Sequence, residues 1–365
     1  MQAGFTFLIL STLISFLIAP FVIDILYQMK VVRMRGADDS IKKIKARKDK
    51  LGTPMMGGII IIIAVLLVTI AFNWNGSTQI PIIIFIICAA LGAIDDFLNI
   101  FGKRKRKHIT FKHHLKLALH HKKLSRRVIL FIEIPWAFYK SLINPIGSRY
   151  GTGLYPHERI LIQLVAGAIA VYYIYFEKSM HTLWIGGNTY INIGVWMIPL
   201  ILLIIIATAN AVNITDGLDG LSAGVMVAAF MAFFAIALTE RNEPMVILTA
   251  TVVGALVTYL YFNIKPARVQ MGDIGTLALG SLLGIIALIL QKELILIIVG
   301  GVFLIETISV IIQKISKKYF HKKVFLMAPL HHHLELKGWS EEKIVMRLWL
   351  LSFALAILGV WLTLL

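Results

Sequence analysis

The chain has 365 residues, 58% of them hydrophobic, with a mean hydropathy of +0.83 and a formal net charge of +17. Apolar runs of about 18 to 25 residues recur from end to end, which excludes a soluble globular domain and implies an all-α integral membrane protein. The basic excess gives no case for nucleic acid, because retention of Lys and Arg on the inner side and attraction to anionic membrane lipids account for it. Cys88 is the only cysteine, so a disulfide framework or a thiolate metal site is excluded.

In chain order, the apolar pattern predicts about ten transmembrane helices, over roughly 4–27, 54–73, 80–98, 158–176, 194–212, 220–239, 244–262, 272–290, 293–315 and 345–365. They form one polytopic membrane domain, 1–365. Of the Lys and Arg residues, all but Lys178, Arg241 and Lys292 fall in or beside 28–53, 99–159, 263–271 and 314–347. Those stretches are therefore predicted to face the cytoplasm, and an even number of crossings puts both termini outside. The first segment has no positive charge before it and Lys30, Arg33 and Arg35 after it, which reads as an uncleaved span.

Three segments lie between spans. Residues 99–157 form a basic cytoplasmic insertion that begins with KRKRKH (103–108) and contains RRVILFIEIPWAFYKSL (126–142). Flanking charge around an apolar centre predicts a helix lying along the membrane surface, with a re-entrant segment as the other reading of Pro135. Residues 181–194, HTLWIGGNTYINIG, predict an external hairpin turning at Gly186 and Gly187. Residues 316–344 form a cytoplasmic loop with His331, His332 and His333, and Ser340 before Glu341 and Glu342 reads as a helix cap.

The informative acids are those at span ends. Asp95 and Asp96 close the third span, Asp216 and Asp219 lie between the fifth and sixth, and Asp273 opens the eighth. Any one alone reads as a cap or a topology marker, yet all five are predicted on one face of the membrane. A carboxylate in lipid is costly and normally faces a partner or water. Carboxylates alone repel phosphate, whereas Mg²⁺ binds through one or two of them and keeps sites for phosphate oxygens and water. Neighbouring residues on a helix point about 100° apart, so Asp95 and Asp96 are expected to have different tasks. In NAVNITDGLDGL (210–221), Asn210, Asn213, Asp216 and Asp219 recur every three residues, while Gly217 and Gly220 predict a tight turn. The sixth and eighth helices start on this side, so their positive dipole ends face the acids. Consecutive histidines seldom chelate one ion, and contact with phosphate is the stronger use of His331–His333.

Six stretches in order, GTPMMGG (52–58), AIDDF (93–97), NAVNITDGLDGL, FNIKPARVQMGDIGTLALG (262–280), GGVFLIETISVIIQ (300–313) and MAPLHHHLELKGW (327–339), resemble the phospho-N-acetylmuramoyl-pentapeptide transferases. These belong to the polyprenyl-phosphate N-acetylhexosamine-1-phosphate transferases, and the histidine loop favours the first family over its sugar-transferase cousins. The resemblance implies transfer of phospho-MurNAc-pentapeptide from UDP-MurNAc-pentapeptide to undecaprenyl phosphate, giving lipid I and UMP, with Mg²⁺, at the cytoplasmic face of the bacterial inner membrane. It implies Asp273 as metal ligand, Asp95 as acceptor of the lipid phosphate's proton, and Asp96 and His331 as further catalytic residues. Lys50, Asn210, Asn213, Asp216, Asp219, Asn263, Gln313 and His332 match substrate-binding positions. It also admits a homodimer. Gln270 and Met55 depart from the family pattern, and the insertion is longer and more basic than its norm. Two other readings stand beside this one: transfer of GlcNAc-1-phosphate from UDP-GlcNAc to the same lipid, and a divalent-cation channel or transporter.

Overall fold

The computed structural model describes residues 2–32, 52–102, 111–120, 124–143 and 153–365. Lys50 and the KRKRK run lie outside these residues. The chain forms α1 (Gln2–Gln28), α2 (Gly58–Phe72), α3 (Gln79–Phe101), then α4 (Phe111–His120), α5 (Leu124–Ile132) and α6 (Ile134–Ile143) within the insertion. It continues with α7 (Pro156–Val171, extended to Glu177 by a π turn), β1 (Thr182–Gly186), β2 (Thr189–Asn192) and α8 (Met197–Thr215). The remainder is α9 (Leu221–Thr239), α10 (Glu243–Asn263), α11 (Gly272–Ile289), α12 (Glu293–Val299), α13 (Gly301–Ile315), α14 (Leu330–Leu336) and α15 (Glu341–Leu364).

Among the described residues, eight helices are long and apolar enough to cross a membrane, and α12 with α13 passes the same test as a pair bent by 80° at Gly300. The burial pattern is that of a chain solvated by lipid. Helices α9, α10 and α11 are almost wholly buried, while the perimeter exposes Leu17 and Phe21 of α1 at 70% each and Ile357 of α15 at 71%. In water such a rim would drive aggregation; against hydrocarbon it costs nothing.

Three sequence expectations are modified. The second helix begins at Gly58 rather than near residue 54. The preceding strand-like segment bonds elsewhere: Gln270 N–H donates to Pro54 O at 2.8 Å, and the Gly57 and Gly58 N–H groups donate to Gln270 O and Met271 O at 2.8 and 2.9 Å. The segment 126–142 is two helices, broken at Glu133, because Pro135 has no N–H to continue the first and is suited to the first turn of the second. Ser340 caps the last long helix itself, its Oγ accepting from Lys343 N–H at 3.3 Å. Within 181–194, β1 and β2 pair as an antiparallel hairpin with Trp184 opposite Tyr190 and a register irregularity between Trp184 and Gly186.

Helix α11 is the central post, packed between α3 and α8. The close approach of α3 depends on Gly92, where a Cβ would overlap the backbone of Asp273 and Ile274. This contact brings the acidic end of α3 against the first turn of α11.

Candidate active site

Asp95 and Asp96 are both buried, yet they point to different partners. Asp96 Oδ2 accepts the Ile274 N–H at 3.0 Å, so it satisfies a free donor in the first turn of α11 from a neighbouring helix. Asp95 faces the other way. Its oxygens accept from Asn99 Nδ2 at 3.1 Å and from the Leu154 N–H, and it is paired with Arg159.

Arg159 joins the two halves of the site. Its Nη2 contacts Asp95 Oδ2 and also donates to Asp273 Oδ2 at 2.7 Å, while the side chain stays 25% exposed. Asn213 Nδ2 donates to Asp273 Oδ1 at 2.7 Å and to Thr276 Oγ1 at 2.8 Å. Four elements thus converge: α3 supplies Asp95, α7 Arg159, α8 Asn213 and α11 Asp273. Two carboxylates turned on one guanidinium nitrogen define a single cationic position at the mouth of the bundle. Among the described residues no three His, Cys, Asp or Glu side chains gather to enclose an ion. An open shell from Asp95 and Asp273 still fits Mg²⁺, which takes its other ligands from phosphate and water.

A second cluster lies on the far side of the 216–220 turn. Asp216 ends α8 and is half-buried, and the turn passes beneath His331. His331 Nδ1 stands 3.0 Å from Glu306 Oε2, and Glu306 also accepts the His331 N–H at 3.2 Å. An ionised carboxylate only accepts, so a ring proton belongs on Nδ1, and Nε2 is buried without a hydrogen-bond partner among the described residues. That nitrogen lies over Gly217, where any Cβ would collide with it. His332 packs edge-on against His331, with ring centroids 4.1 Å apart, and its Nδ1 is 2.6 Å from Glu335 Oε2.

Other family-matched positions bond to backbone or to neighbouring side chains. Asp219 N–H donates to Glu341 Oε1 at 2.7 Å, and Asp219 Oδ2 accepts from Ala267 N–H at 3.2 Å. Asn263 accepts from Gly220 N–H at 3.0 Å and donates to Val269 O at 2.8 Å. Gln313 holds the following loop, its Oε1 accepting from Val324 and Phe325 N–H at 3.0 Å each and its Nε2 donating to Phe325 O at 2.8 Å. Asn210 Nδ2 donates to Gln163 Oε1 at 2.9 Å, away from Asp273. Beside this cluster Lys265 is 2.8 Å from Glu342 Oε1. Burial lowers its pKa, but the bond to Glu342 and the charge of Glu341 outweigh that and hold it above the ordinary value. Burial and the Lys337 charge push His333 down, which suits a ring whose Nδ1 accepts the Leu326 N–H at 3.1 Å.

Arg159 was not singled out by sequence reasoning, and the reason is plain: it is one cation at the end of a long basic stretch. Asn99 had a usable signal, four residues beyond Asp95 and so on the same helix face.

A family model described as glycosyl transferase family 4 matches residues 151–291, which include Arg159, Asn213 and Asp273. The chain is 33% identical over 366 residues to a phospho-N-acetylmuramoyl-pentapeptide-transferase of Geobacillus sp. (strain WCH70), covering 97% of this chain and 96% of the relative. Proteins of the same name from Bacillus anthracis (strain A0248) and Bacillus cereus (strain Q1) are each 35% identical over 356 residues, covering 96% of this chain and 94% of theirs.

Proposed function

The chain belongs to the phospho-N-acetylmuramoyl-pentapeptide transferases, and from that premise we propose how its residues carry the transfer of phospho-MurNAc-pentapeptide to a lipid carrier. The donor is UDP-MurNAc-pentapeptide, the acceptor undecaprenyl phosphate, and the products lipid I and UMP. One reactant is a soluble polyanion and the other a lipid phosphate, so the chemistry belongs at the lipid–water boundary. The observation that carries the reading is the convergence of Asp95 and Asp273 on one cationic position at that mouth.

Asp273, with Asp95 across from it, would hold Mg²⁺, which when bound offsets charge on the pyrophosphate and the departing UMP. The remaining work is that of the chain. Asp95 takes the proton of the lipid phosphate, whose oxygen then forms a bond to the β-phosphorus as the bond to UMP breaks. Direct attack needs only positioning and charge compensation, so no aspartyl intermediate is invoked. Arg159 keeps the two carboxylates together before substrate arrives and turns to the phosphates afterwards. Asn213 fixes the Asp273 carboxylate through Oδ1 and leaves Oδ2 for a cation. His331, with its free Nε2 over the 216–220 turn, and His332 complete the polar wall.

The positive-inside distribution supports a site on the cytoplasmic face of the bacterial inner membrane, with both termini outside. A cation channel would need polar groups continued through the bundle, and nothing in the relatives favours it. The test is to offer the purified protein UDP-MurNAc-pentapeptide and UDP-GlcNAc separately, with undecaprenyl phosphate, and to identify the lipid formed. UMP release with the first and not the second is expected; lipid-linked GlcNAc would move the chain to the sister activity.

A further inference from the structure

Helices α4, α5 and α6 pack on one another, and their principal contact with the bundle is α6 on α7. They leave a set of large apolar side chains uncovered: Leu119, Ile129, Phe131, Ile132, Trp136 and Phe138, from 37% to 73% exposed. Between residues 99 and 157 there are thirteen Lys and Arg against a single acid, Glu133. Helices carrying apolar side chains within a strongly basic segment are suited to lie in a headgroup layer of opposite charge. The arm joins the end of the bundle where the carboxylates meet.

The attachment is specific. Trp136 sits edge-on to His157 at 5.3 Å, and Tyr139 Oη donates to His157 O at 2.9 Å. His157 is buried, and the segment 153–159 around it binds the catalytic edge by its other side. Gly153 N–H donates to Asn99 Oδ1 at 2.7 Å, Leu154 N–H to Asp95, and Arg159 pairs with Asp95 and Asp273.

We propose that α4–α6 form an interfacial arm that docks on an anionic lipid leaflet and, through Trp136 and Tyr139 against His157, holds segment 153–159 in place against Asp95. The docking does not depend on the roles given to the carboxylates; only the consequence for turnover rests on the proposed function. Tyr139 is on this account a positioning residue.

Cys88 is fully buried, so a single cysteine at Ile132 can be labelled alone in the full-length protein. A nitroxide on Ile132→Cys, in phosphatidylcholine vesicles with and without phosphatidylglycerol, is read by collision with lipid-soluble oxygen and with a water-soluble nickel complex. Immersion in the anionic vesicles is expected, with the immersed fraction falling about fivefold or more for Arg127→Glu or when phosphatidylglycerol is omitted. A label in water in both vesicles overturns the docking. A label shielded from both reagents overturns it too, in favour of a second protein copy on this face. For the coupling, Tyr139→Phe should leave the label immersed while kcat for UMP release loses its dependence on phosphatidylglycerol. An unchanged lipid dependence in that variant overturns the coupling, and absence of turnover in the parent protein fails the proposed function instead.

Discussion

Arg159 donates to Asp273 at 2.7 Å while pairing with Asp95, so the carboxylates of two helices share one guanidinium. Without that charge the two acids repel across the mouth of the site. Arg159→Met is expected to lower kcat/KM for UMP release by about a hundredfold, the usual cost of removing one charge-stabilising donor. The same variant should gain more thermal stability from added Mg²⁺ than the parent does, because the metal then supplies the missing charge. Thermal unfolding with and without Mg²⁺ checks this; equal gains would show that Arg159 does not share the cation position.

Asp273→Ala is expected to reduce UMP release by about a thousandfold or more, and chelation should silence the parent protein reversibly. Asp95→Asn keeps the shape and the bond to Asn99 but cannot take a proton, and a loss of about 10² to 10⁴ in kcat is expected. Steady-state turnover across a Mg²⁺ titration separates the two: excess Mg²⁺ should recover part of the loss in Asp273→Ala, whereas Asp95→Asn, which also loses its proton acceptor, should stay slow even at saturating Mg²⁺. Full metal-dependent turnover by Asp273→Ala would end its assignment as ligand.

Gly217 lies beneath His331 with no room for a methyl group. Gly217→Ala should displace the ring from Glu306 and cost about 1 to 3 kcal/mol of stability together with most activity. Gly217→Ala combined with His331→Ala should recover stability but not activity. Unfolding curves and UMP assays on the same three proteins decide the matter.

The loop from His321 to Pro329 is held by three side-chain latches: Ser316 to Lys322 O, Gln313 to Val324 and Phe325, and His333 to Leu326. Gln313→Ala leaves backbone groups unpaired and should cost about 1 to 3 kcal/mol locally. The His333 pKa is depressed in the fold, so its contribution is complete above the ordinary value of 6.5 and is lost as pH falls below it. Tryptic cleavage at Lys322 and Lys323 should therefore quicken both in Gln313→Ala and on acidification. A rate independent of pH would remove His333 from the latch.

The transmembrane character was legible in the sequence, because apolar length is dictated by lipid thickness, but the expected spans, about ten, become, among the described residues, eight qualifying helices, or nine with the bent α12–α13 pair, and the 15-residue α2 falls short. Helix edges were less so. The start of α2 is set by Gln270 and Met271, more than two hundred residues away, and no local pattern encodes such a bond. The acids could be read as a group since charge in lipid is expensive, and Asp95, Asp273 and Asn213 do meet. What the family pattern could not distinguish was an amide that faces the mouth from one that ties down backbone. Asn263 and Gln313 do bond backbone, at Val269 and Phe325, which only the folded chain determines, and neither bond excludes the substrate contact their positions imply.

Helix α2 has 15 residues and so is about 22 Å long, against roughly 30 Å of hydrocarbon. Phe72 and Trp74 are exposed at its far end, as aromatic side chains at a lipid–water boundary are, and a helix of this length standing upright does not cover the whole thickness. The Met271 carbonyl is tied to the near end of α2, and Asp273 follows two residues later. Asp273 thus sits beside the end of a helix too short to cross the hydrocarbon upright, with residues 52–57 in place of further helical turns. An upright α2 would leave that end below the lipid phosphates, so a nucleotide donor would come down to it from water while a lipid-borne phosphate would reach it from the side.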